Sequence, residues 1–136
     1  MVKTISKKIT KKLRPVTRPQ LVRKTQVLDA TDQILGRFAT QIAIMLRGKN
    51  KATFQPHLDE GDVVIIKNAS KIKVTGNKMR GTNYYRHSQY QGHLKTQTMA
   101  EIYAKNPAIL IRTAVWNMLP KNKLRDRMIK RLTITN

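Results

Sequence analysis

Gly61-Asp-Val-Val-Ile-Ile-Lys-Asn68 holds a continuous apolar run, Val63 to Ile66 with Lys67, between two turn-forming residues. A run of that length predicts a strand buried on both faces, as in a helix-covered parallel sheet. Working back from it, residues 55–62 (QPHLDEGD) form a loop by their proline, glycine and acids. Before the loop, Leu35, Phe38, Ala39, Ile42, Ala43 and Leu46 recur on one face of a helix. Asp32 is its expected N-cap and Gly48 its stop. Earlier still, Leu21 to Ala30 (LVRKTQVLDA) predicts a strand through Val22, Val27 and Leu28. Strand, helix, strand makes a βαβ unit.

Working forward, Ile72 to Thr75 predicts a further short strand. Thr98 stands three residues before Glu101, the spacing of a capping box, at the head of a helix that Asn106 and Pro107 end. Pro107 then opens a second helix, with Ile109, Leu110, Thr113, Ala114, Trp116 and Leu119 as its apolar positions and Pro120 as its close. Residues 121–131 (KNKLRDRMIKR) predict a basic helix whose inward face is Leu124, Met128, Ile129 and Leu132. Leu132 to Thr135 is a candidate last strand.

The 136 residues suit one domain, residues 21–136, behind a basic arm, residues 1–20. Lys and Arg number 28 against 7 Asp and Glu, a net charge of +21 that calls for a polyanionic partner, nucleic acid first. Five of the seven carboxylates lie between Asp29 and Asp62, whereas residues 63–100 have none and carry seven Lys or Arg. Such segregation points to a contact face. The first 24 residues hold nine Lys or Arg, and Val2, Ile5, Ile9 and Leu13 fall at helical spacing, as in an amphipathic arm ordered on a partner. A cleavable targeting segment is the rival, disfavoured because Lys outnumbers Arg there. Without cysteine, no disulfide framework or thiolate zinc site is possible. Without a long apolar run, neither a membrane span nor secretion is expected.

Gly76 to Gly92 (GNKMRGTNYYRHSQYQG) holds three of the four tyrosines and no carboxylate. Tyr84, Tyr85, His87 and Tyr90 have rings that stack on unpaired bases or sugars, while Lys78 and Arg86 can neutralise phosphates. A hairpin with its tyrosines packed on the domain is the alternative. As strand neighbours, Tyr84 and Tyr85 should face opposite sides, so at most one touches a ligand. At the end of the first helix, Arg47, Lys49 and Lys51 either complement the helix dipole or contact phosphate. Lys121, Asn122, Lys123 and Arg125 extend the basic surface. Catalytic signatures are weak. His57 with Asp59, Glu60 and Asp62 is the one cluster that invites an acid/base or hydrolytic reading, and a solvated turn explains it more simply. The histidines lack metal-ligand spacing, and the Gly48-Lys49 pair lacks the glycine and hydroxyl of a phosphate-binding loop.

Five blocks in order, VLDAT with LGRFATQIA, LRGKNKATFQPHLDEGD, VVIIKNASKIKVTGNK, YYRHSQYQGHLK and AVWNMLPKN, resemble the universal large-subunit ribosomal protein thirteen family in its bacterial form. The likeness spans about Gln26 to Leu132. It implies an α/β fold of three layers, helices packed around a four-stranded mainly parallel sheet. It implies a structural, non-catalytic constituent of the cytoplasmic large ribosomal subunit that binds ribosomal RNA, supports assembly, and has large-subunit RNA and neighbouring ribosomal proteins as partners. No cofactor, metal, membrane or small-molecule substrate is implied. The chain departs from the pattern where Trp116-Asn117 replace Lys-Gly before MLPKN and where Arg125-Asp126 follow Leu124. Two rivals are an RNA-binding regulator outside the ribosome and, more remotely, a hydrolase built on His57 and Asp59.

Overall fold

A computed structural model describes residues 23–136. The proposed arm at residues 1–20 and its amphipathic spacing lie outside the described residues.

Strand β1 (Thr25–Asp29), helix α1 (Leu35–Arg47) and strand β2 (Val63–Lys67) form the expected βαβ unit, with β1 and β2 parallel. The six expected apolar positions of α1 are all buried. Gly48 ends the helix at φ 78°, and its N–H donates to the carbonyls of Ile44 and Met45. That left-handed cap is cheap only for a residue without Cβ. Asp32 does not cap the helix. It sits at φ 59° in the preceding turn and pairs with Lys73 at 2.9 Å, while Ile34 takes the N-cap position and the Leu35 N–H donates to the Lys73 carbonyl. A backbone acceptor from a distant segment has replaced the local side chain.

The same contact explains why Ile72 to Thr75 forms no strand. Residues Ala69–Lys71 make a 3-10 turn, and the chain beyond them meets Ile34 in one isolated parallel bridge at Lys73. The described sheet therefore has three parallel strands in the order β1-β2-β5, with β5 at Leu132–Ile134, rather than four. A separate antiparallel hairpin joins β3 (Asn83–His87) to β4 (Leu94–Thr98) and follows the short helix α2 (Lys78–Gly81).

Helices α3 (Met99–Lys105), α4 (Pro107–Met118) and α5 (Arg125–Lys130) complete the order. The Thr98 hydroxyl accepts the Glu101 N–H, as the capping spacing predicts, and Pro107 opens α4. Helix α4 keeps part of the expected face inward, with Ala114 and Trp116 packed against the core, and exchanges the rest. Leu110, Ile111, Val115 and Leu119 are buried, while Ile109 is 48% exposed. Helix α5 is shorter than predicted because residues 121–124 fold as a turn, in which the Asn122 Oδ1 accepts the Leu124 N–H.

Val64 and Ile66 are fully buried in the core that includes α1 and α4, and their register partners Gln26 and Leu28 share that face. The opposite face carries exposed Val27, Asp29, Lys67 and Thr133, with Val63 and Ile65 half-buried. Over the described residues β2 is sealed on one face and half-buried on the other.

Candidate nucleic-acid interface

The hairpin settles the tyrosine pair. Tyr84 packs against the core, and burial raises its hydroxyl pKa above the ordinary value. Tyr85, one residue on, is 65% exposed. Its face of the ribbon also holds His87 and, across the strands, Thr96 and exposed Leu94. Arg86 is exposed opposite Lys95, and Lys78 is exposed on α2. Tyr90, at the turn, is 76% exposed and meets His93 edge-on with ring centroids 6.1 Å apart. The Tyr85, His87 and Tyr90 rings face solvent, and among the described residues no acid pairs with the cations beside them.

The remaining candidates divide. Lys49, Lys121 and Lys123 project outward from the end of α1 and from the turn before α5. The Arg47 guanidinium lies 5.2 Å from the Phe54 ring centroid, half-exposed. Lys51 instead sends its ammonium inward, 2.6 Å from Asp62 and 2.7 Å from the Glu60 carbonyl. Arg125 is stacked 4.3 Å over the Trp116 ring and donates to the Trp116 carbonyl through Nε at 2.9 Å and through its terminal nitrogen. Asn122 is engaged as the turn former described above. Lys51, Arg125 and the Asn122 Oδ1 are thus each engaged by partners within the chain.

The acidic loop is an internal clamp. Arg131 grips Asp59 with two nitrogens at 2.5 and 2.6 Å, donates to the Leu46 carbonyl at 2.9 Å, and is 10% exposed in its side chain. Arg23 reaches Asp59 at 3.4 Å. Asp62, 1% exposed, accepts from the Lys24 backbone N–H and Lys51. Burial pushes its carboxyl up, but the Lys51 and Lys24 hydrogen bonds outweigh this and leave its pKa below the ordinary 3.8. Glu60 accepts from the Thr53 hydroxyl. The Asp59, Glu60 and Asp62 carboxylates are thus all engaged within the scaffold. No group of His, Asp or Glu suited to a metal ion occurs among the described residues.

The family model of ribosomal protein L13 covers residues 23–135. The chain belongs to the ribosomal protein L13 family. It is similar to the large ribosomal subunit protein uL13 of Maridesulfovibrio salexigens, 54% identical over 108 residues that cover 79% of this chain and 76% of the relative. It is also similar to uL13 of Syntrophobacter fumaroxidans, 49% identical over 112 residues covering 82% and 79%. Its likeness to uL13 of Kocuria rhizophila is 49% over 112 residues, covering 82% and 76%.

In this L13-family chain the Trp116 departure acquires a structural partner, since Arg125 stacks on its ring. The sequence carried no sign that Arg23, Arg127 and Lys130 converge with the acidic loop, because they come from opposite ends of the chain. They line one open cleft of about 470 Å³ together with His57, Leu58, Asp59, Leu124 and Arg131.

Proposed function

We propose that the chain is a structural, non-catalytic constituent of the large ribosomal subunit that binds ribosomal RNA and supports subunit assembly. One observation carries this: in a member of the L13 family with net charge +21, the carboxylate-free hairpin turns Tyr85, Arg86 and His87 to solvent instead of burying them. Lys49, Lys78, Arg86, Lys121 and Lys123, with Arg47, serve phosphates, while Tyr85, His87 and Tyr90 stack on bases or sugars. Tyr84, Lys51, Asn122 and Arg125 hold those groups in place. Neighbouring large-subunit proteins share the interface, and the working location is the ribosome. No described helix is long and apolar enough to cross a membrane.

The test is retention. Large subunits from cells expressing the tagged chain are washed in high salt and sedimented. A stoichiometric band on the subunit is expected, whereas release into the supernatant favours a regulator acting outside the ribosome.

A further inference from the structure

The cleft between the 55–62 loop and α5 is lined by four cations, Arg23, Arg127, Lys130 and Arg131. Arg127 and Lys130, three residues apart on α5, share its outer wall and are exposed. Arg23 enters from the strand side with its side chain 39% exposed, and exposed His57 forms the rim opposite. The only lining carboxylate is Asp59, already held by Arg131 and Arg23, so four cations face one acid. Among the described residues, Arg127 and Lys130 have no carboxylate partner. Arg131 also keeps a buried Nε–H without an acceptor there. Leu58 and Leu124 give the cleft apolar lining.

Excess positive charge of this density repels its own walls unless an anion enters. Two guanidinium groups and an ammonium suit phosphate oxygens, and apolar lining beside them suits a ribose or base edge better than a bare inorganic ion. We infer that this cleft seats a nucleotide of the ribosomal RNA backbone, its phosphate on Arg23, Arg127 and Lys130. The inference rests on the proposed ribosomal role and adds a second contact, separate from the hairpin. It also gives the clamp a purpose: Asp59 orients Arg23 and Arg131 while removing its own charge from the phosphate path.

Two measurements on the full chain test it. A benzophenone amino acid placed at His57 is activated in assembled large subunits, and a crosslink to ribosomal RNA is expected. A crosslink to a neighbouring protein instead would overturn the inference. In parallel, binding of large-subunit RNA is followed over a salt series for Arg127→Gln/Lys130→Gln and for Lys67→Gln/Lys105→Gln, an equal charge loss outside the cleft. The cleft pair should lower the slope of log affinity against log salt by about 0.7 to 0.9, the contribution of the one phosphate contact it serves. Equal slopes for the two pairs would overturn the inference. Failure of the unaltered chain to stay on subunits, by contrast, removes the proposed function itself and the cleft assignment with it.

Discussion

Gly61 shows how one atom decides a local fold. A Cβ there would lie 1.7 Å from the Leu46 carbonyl oxygen and 2.8 Å from an Arg131 nitrogen, both of which belong to the clamp. Backbone cannot yield as a flexible side chain can, so Gly61→Ala should destabilise by about 3 kcal/mol, the upper part of the usual range for overpacking, measured by urea denaturation. The tyrosine pair separates stability from binding in the same way. Tyr85→Ala should leave the urea midpoint unchanged and weaken RNA binding by about 1 to 3 kcal/mol, as loss of a stacked ring does. Tyr84→Ala should do the reverse, lowering the midpoint through a cavity in the packing it shares with the core. Similar losses of affinity from both, with both folded, would contradict the assignment of their faces. The alternation of the pair was legible in the sequence. Which member faced inward was not, because the inward side depends on where the ribbon lies against the core.

At the scale of elements, the buried face of α1 was readable residue by residue because its six positions recur at helical spacing. Its one open site gives a stabilising prediction. Gly36 is exposed in the first turn, has ordinary φ, and a Cβ there meets nothing within 4 Å. Gly36→Ala should therefore raise stability by about 0.5 to 1 kcal/mol, seen as a higher melting temperature, by restricting the unfolded chain and favouring the helix. A lower melting temperature would contradict this reading of Gly36 as an open helical position. Helix α4 was legible only in part, for the opposite reason. Residues 108–119 are so uniformly apolar that several faces satisfy the helical period, and contact with α1 and α3 chooses among them. The Ile72 to Thr75 segment had strand composition but only the entrance of α1 beside it, so one bridge formed and no ladder.

Across the whole molecule, the two parallel pairings of β2 hold together segments from both ends of the described chain, and hydrogen bonds to acids secure the sheet ends. Asp29, at the end of β1, accepts from the Asn68 side chain and from the Thr31 backbone and hydroxyl, which lowers its pKa from 3.8 to about 2. Asp62, at the other end, is lowered as well. A carboxyl depressed in the folded state contributes stability above its unfolded pKa and loses it as pH falls through the folded value. Stability should therefore decline between about pH 4 and about pH 2, followed by urea midpoints across that range. Acid also removes the seven negative charges that temper 28 positive ones, so general repulsion acts in the same direction. Asp29→Asn separates the two: it should show a smaller decline in that window than the unaltered chain. An equal decline would remove Asp29 as a cause and leave Asp62 and repulsion to account for it.

The sequence by itself determined the βαβ beginning, the helix caps at Gly48 and Thr98, the charge segregation and the family blocks. Each depends on neighbours within a few residues or on composition, and local periodicity and charge survive in a linear string. Only the tertiary structure decided the strand count, the inward face of α4, the capture of Lys51 and Arg125 by internal partners, and the cleft. The Arg131 and Asp59 pair spans 72 positions. Its formation depends on which surfaces pack together, and the contacts of a single long side chain leave no period in the sequence to reveal it.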